Sequence, residues 1–175
     1  KKVLDVYGAS KKSGANVELY EKSGDLNQQY ELYREADGYY SIKAVHSGLA
    51  VSAEKDNVCQ KTVTGAENQK WKIAGTEKEG YVLYTLSGNE CMEETAAKAA
   101  NGTNIQLSVY DGEKSQRFYL EIIEGMSDKD ESEQEENMPE EAEIPNGIYV
   151  IKTVLNPKKV LDVYGASKKS GANVE

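Results

Sequence analysis

Three runs share one pattern of apolar and polar positions: GYYSIKAV from Gly38, GYVLYTLS from Gly80 and GIYVIKTV from Gly147. A glycine followed by aromatic and β-branched residues reads as a strand leaving a tight turn. A further segment in each unit begins with asparagine and a β-branched residue: Asn16-Val17, Asn57-Val58 and Asn104-Ile105. Each unit then reaches a glutamine two residues before an aromatic, at Gln28 and Tyr30, Gln69 and Trp71, Gln116 and Phe118. The units recur about every 40–50 residues, a period that belongs to a repeat architecture. Gly, Asn and Ser turns separate the runs and no window has helical period, so the pattern predicts an all-β domain of three pseudo-repeated subdomains.

A longer repetition encloses the short one. The eighteen residues KKVLDVYGASKKSGANVE stand at 1–18 and again, letter for letter, at 158–175. Surface lysines and serines do not converge in this way, so the second copy reads as the first strands of a following identical module in a tandem array. The two are separated by an acidic run, SDKDESEQEENMPEEAE, which holds nine carboxylates and one lysine. That run accounts for nearly all of the net charge of −9. Without apolar periodicity it reads as a self-repelling spacer. The expected organisation is a domain over 1–125, an acidic linker over 126–144, and the opening strands of the next repeat over 145–175. The domain then lacks its first strand, which GIYVIKTVLNP, residues 147–157, supplies from the same chain or by exchange with a neighbour. Exchange is expected, because residues 158–175 and 1–18 compete for one place, and it implies head-to-tail association.

Composition narrows the function classes. Outside the linker the charge is near neutral, with no cluster of Lys and Arg, so nucleic acid is not expected as a partner. No run of eighteen apolar residues occurs, so membrane insertion is not expected. Cys59 and Cys91 are too few for a disulfide framework and have no metal-ligand spacing; they read as small core residues, and neither a metal nor another cofactor is expected. His46, the one histidine, falls in a turn with no nucleophile motif near it and reads as exposed.

The three Q-x-aromatic motifs, the VLDV at 3–6 and the GANVELY at 14–20, in this order and spacing, resemble the ricin B-type lectins. The resemblance covers residues 1 to about 123 together with 146–175, and implies a β-trefoil: three subdomains forming a six-stranded barrel closed by three hairpins. It implies that each Q-x-aromatic glutamine ties down a turn while Tyr30, Trp71 and Phe118 enter the core.

The resemblance also implies carbohydrate binding. A carboxylate accepts from two neighbouring hydroxyls, an aromatic ring covers the C–H face of a pyranose, and an amide both donates and accepts. In the first unit the family's positions fall on Asp5, Glu18, Tyr20, Asn27 and Gln28. Glu18 stands where the family has glutamine, which keeps the acceptors and loses the donors. In the second unit Cys59 and Lys61 replace the amide and the ring, leaving Asn68 and Gln69, so that site reads as vacant. In the third, Glu93 and Gln106 match while Ser108 and Ser115 replace the ring and the asparagine; Asp162 repeats the Asp5 position in the second copy. These three are weaker candidates. Nothing in the sequence points to burial of Asp5 or Glu18, and in this family the equivalent positions bind hydroxyls without cutting, so no catalysis is expected. The expected function is a lectin-like module attaching a larger secreted or surface protein to glycans of galactose type or related sugars. The alternative is a degenerate trefoil used for protein contact or spacing.

Overall fold

A computed structural model describes residues 1–96, 99–125 and 143–155. The linker expected over 126–144, apart from its last two residues, the second copy at 158–175 and with it Asp162 therefore lie outside the described residues. Among the described residues twelve strands are formed: β1 Lys2–Val6, β2 Val17–Glu21, β3 Tyr30–Arg34, β4 Tyr40–Ala44, β5 Ala50–Glu54, β6 Asn57–Lys61, β7 Lys70–Thr76, β8 Gly80–Thr85, β9 Glu90–Glu94, β10 Thr103–Val109, β11 Phe118–Gly125 and β12 Gly147–Thr153.

Six of them close on themselves. β12 pairs with β3, β3 with β4, β4 with β7, β7 with β8, β8 with β11, and β11 with β12, every pair antiparallel. Closure leaves no barrel strand with an open edge. The other six form the hairpins β1–β2, β5–β6 and β9–β10, which cover one end of the ring and touch one another through β2–β10 and β6–β10. This is the β-trefoil, with lobes made of β12, β1, β2 and β3, then β4 to β7, then β8 to β11.

The strand 147–153 completes the barrel within its own chain. Seven register pairs join it to β11, from Phe118 opposite Thr153 to Gly125 opposite Gly147, with a bulge at Ile122/Glu124. Ile144, expected in the linker, is buried in the core, and its N–H donates to Tyr40 Oη at 2.7 Å. Glu143 meets Arg34 at 2.7 Å.

The asparagines that mark the units meet at the pseudo-threefold axis. Asn16 Nδ2 donates to Asn104 Oδ1 (2.8 Å), Asn104 Nδ2 to Asn57 Oδ1 (2.8 Å), and Asn57 Nδ2 to Asn16 Oδ1 (2.9 Å). An amide both donates and accepts, so three of them close a ring in which every donor points the same way around. The aromatics of the glutamine motifs fill the core beneath: Tyr30, Trp71 and Phe118 are fully buried. Each motif glutamine accepts the backbone N–H groups of the turn before it, Ser23 N for Gln28, Thr64 N for Gln69 and Asp111 N for Gln116, at 2.8–3.0 Å.

The three core rings differ in one polar atom. Trp71 Nε1 donates to Val51 O at 3.0 Å, whereas Tyr30 Oη is buried with no partner among the described residues. An unpaired buried hydroxyl costs about 1–3 kcal/mol. Tyr30→Phe is therefore expected to raise stability by about 1 kcal/mol in urea melts, while Trp71→Ala costs about 3–5 kcal/mol. A less stable Tyr30→Phe protein would mean that the hydroxyl has a partner.

Candidate functional site

The hairpin β1–β2 brings the first-unit residues together. Asp5 and Glu18 are directly opposed, with Val6 opposite Val17 one step inward. Side chains alternate along a strand, so Tyr20 shares a face with Glu18, and Asp5 lies across from them. Tyr20 is 44% exposed, whereas Asp5 and Glu18 are each only 7% exposed.

The glutamine turn supplies the support. Gln28 Nε2 donates to Asp5 Oδ2 at 2.7 Å and to Glu21 O at 2.9 Å, and its Oε1 accepts from the Ser23–Gly24 turn. Gln28 thus uses both N–H groups inside the protein and orients Asp5. Asn27 also bonds Asp5, and its Nδ2 lies 3.4 Å from Val6 O. Burial raises the Asp5 carboxyl above the usual carboxylate range, opposed by the Gln28 and Asn27 bonds and by the charge of His46. Burial, and then the charge of Asp5, raises Glu18 in the same direction. This corrects the expectation that neither acid is shifted: the hairpin faces the protein as well as the opening. A Glu18 that keeps its proton regains one donor, part of what the glutamine of the family would offer.

The other lobes repeat the register. Ser52 opposes Cys59, and Glu93 opposes Gln106. In the second lobe Ser52 and Asn68 bond each other at 3.1 Å, and no carboxylate occupies the Asp5 position. In the third, Gln106 Nε2 donates to Glu93 Oε2 at 3.0 Å and Ser115 Oγ to Glu93 Oε1 at 3.3 Å, so both weaker candidates are brought together. Rings missing at position 108 occur beside it: Tyr110 follows two residues later, and Tyr84 opposes Cys91, which itself opposes Ser108. Their ring centroids are 5.5 Å apart at 65°, and Arg117 Nη2 donates to Tyr110 Oη at 2.8 Å. The family pattern puts the ring at position 108 alone, where serine stands. The two-residue alternation from Ser108 to Tyr110 was the signal for the neighbouring ring.

Burial also corrects His46, which is half-buried rather than exposed, its Nε2 2.9 Å from Ser10 O. Cys59 and Cys91 are both buried free thiols, and burial raises Cys91 to about 12.

The family described as ricin-type β-trefoil lectin domain-like matches residues 1–58, 26–108 and 67–175. Among solved structures, the designed threefold-symmetric protein ThreeFoil is 34% identical with a TM-score of 0.64, covering 67% of this chain and 89% of its own. An exo-β-1,3-galactanase from Clostridium thermocellum is 27% identical with a TM-score of 0.63, over 67% of this chain and 27% of its own. The C-half of an earthworm R-type lectin, solved with GalNAc, shares the fold at 17% identity and a TM-score of 0.55, over 66% of this chain and 86% of its own. Curated protein sequences give no match. Three lobes in one register, the glutamine-anchored turns and the match along the whole chain agree: this chain belongs to the ricin-type β-trefoil lectin-like family.

Proposed function

We propose that the chain is a non-catalytic carbohydrate-binding module whose first lobe holds a galactose-type or related sugar. The observation that carries this reading is the constellation on β1–β2: a carboxylate oriented by Gln28 and Asn27, a second carboxyl opposed to it, and the exposed ring of Tyr20 on the same face. Asp5 accepts from two adjacent sugar hydroxyls, Tyr20 covers the C–H face, Asn27 and Glu18 reach the next hydroxyl, and Gln28 holds Asp5 in place. The earthworm lectin solved with GalNAc supports the sugar class.

Two features speak against hydrolysis. Asp5 and Glu18 project from one face of one hairpin, whereas a glycosidase pair flanks the scissile bond. Asp5 is also tied to an amide rather than facing a leaving group. The third-lobe group of Glu93, Gln106 and the Tyr84–Tyr110 rings makes a weaker second site.

A monosaccharide should bind at about millimolar strength, because water competes for each hydroxyl. Asp5→Ala and Tyr20→Ala are each expected to abolish binding on a glycan array, and Tyr20→Ala to leave the melting temperature nearly unchanged. A Tyr20→Ala protein that unfolds would place that ring in the core instead. Glycan binding unaffected by Asp5→Ala would overturn the site, and no binding at any valency would leave a protein-contact scaffold.

The proposal extends to context. With glycans as partners, the module works at a cell surface or in the surrounding medium, attaching a larger protein. Residues 158–175 carry the same side chains as the segment that forms β1, so the tail of a second chain fits the same place and offers head-to-tail association.

A further inference from the structure

We infer that His46, on the second lobe, is a positioning residue for the first-lobe glycan site: it pins the turn Tyr7–Ser10 beside Asp5. The inference rests on the proposed function for what the site binds, but not for the pinning itself.

The turn follows β1 directly and is unusual in two ways. Gly8 and Ala9 both have positive φ, +61° and +49°, and the second is uncommon for a residue with a Cβ. Tyr7 is 63% exposed, next to the strand that carries Asp5. A turn of this shape, with an aromatic at its front, needs holding from behind. Within its own lobe the turn is held by backbone bonds, Tyr7 N to Asn16 O at 3.0 Å and Ser10 N to Tyr7 O at 3.3 Å, and Lys12 N adds an exposed bond to Ser10 Oγ at 3.2 Å.

The outer carbonyls of the turn are held by side chains of the neighbouring lobe. His46 Nε2 donates to Ser10 O at 2.9 Å, since a carbonyl can only accept. Gln60 Nε2 donates to the same oxygen at 2.6 Å and to Lys12 O at 3.0 Å, and Ser47 Oγ fixes Gln60 through its Oε1 at 2.8 Å. Nε2 therefore bears a proton, while Nδ1 is buried without a partner among the described residues. That leaves the ring held on one side only.

The same ring is also among the charges that act on Asp5. The groups that interact with Asp5 are Gln28, Asn27, Glu18, Asp25, Tyr30 and His46, and among these His46 is the one that brings positive charge. Its charge opposes the burial that raises Asp5 and keeps the sugar acceptor ionised to lower pH. One side chain therefore sets both the shape of the turn and the state of the carboxylate.

Two variants of the full chain separate these roles. His46→Gln keeps a donor for Ser10 O and removes the charge; His46→Leu removes both. With galactose as probe, His46→Leu should weaken binding at neutral pH about fivefold, the worth of one hydrogen bond. His46→Gln should stay near wild type there but lose binding at a higher pH on the acid side. The Asp5 carboxyl carbon, followed by NMR without any sugar, should titrate at higher pH in both variants, and amide exchange at Gly8–Ser10 should quicken in His46→Leu alone. Unchanged Asp5 titration and unchanged exchange would overturn the inference. Shifted titration with no galactose binding in the wild type would overturn the lectin reading and leave the positioning role standing.

Discussion

A chain ended at Glu143, lacking β12, is expected to show no cooperative melt at 25 °C, and a peptide of residues 144–155 added in trans should restore one. The barrel is a ring of six, so removing one member opens two edges, on β3 and β11, and strips the register pairs of Gly147–Thr153 with both. It also removes Ile144, Tyr149, Val150 and Ile151 from the core. Burying each such side chain is worth about 1.5–3 kcal/mol, so the four together match the whole stability of an ordinary domain. A shortened chain that melts cooperatively at the same temperature would show that β12 is dispensable. The same pair of chains tests association: light scattering over a range of concentrations should show growth of the full chain, and a strictly monomeric full chain would rule exchange out.

The second large effect is a dependence on pH in the unusual direction. Glu94 is 2% exposed; Thr153 Oγ1 donates to its Oε1, while Oε2 has no partner among the described residues. Burial, opposed by the Thr153 bond, pushes its carboxyl from 4.5 up to about 8. The folded form binds a proton that the unfolded chain releases, so the contribution is fully present below about 4.5 and is lost as pH rises to about 8. Each unit in that window costs about 1.4 kcal/mol, so pH 5 to 8 sums to about 4 kcal/mol at most. Asp5 and Glu18 lean the same way. Glu121, pushed down to about 2 by its bonds to Lys152 and Lys22, acts only below the window. Glu94→Gln keeps an amide for Thr153 and should flatten most of the slope, leaving the variant more stable than the parent at pH 8. A parent whose urea midpoint is constant from pH 5 to 8 would refute this.

The sequence could be read this far because the lobes repeat. The glutamine motifs, the alternating runs from Gly38, Gly80 and Gly147 and the asparagine pairs place nearly every strand, since each is a local pattern repeated in three copies. The asparagines were visible as marks but not as a ring, because three amides meeting at an axis is a product of the closed fold. Asp5, Glu18, Tyr20, Asn27 and Gln28, read from the family pattern, are brought together on one hairpin and its glutamine turn. What was missed lies where the threefold pattern breaks. Glu94 occupies the register position that Val6 and Ala53 hold in the other lobes, and aligning the lobes would have exposed a carboxyl among apolar positions. His46 has no such signal, because its partner Ser10 belongs to another lobe and follows no period.

Gly125 and Gly147 are register partners, so β11 ends and β12 begins side by side. Tension applied through those two residues acts along the inter-strand hydrogen bonds, which run perpendicular to antiparallel strands. The bonds then break one after another, as a zipper opens, and not all at once in shear. Pulling at Gly125 and Gly147 therefore peels β12 away from β11 at modest force.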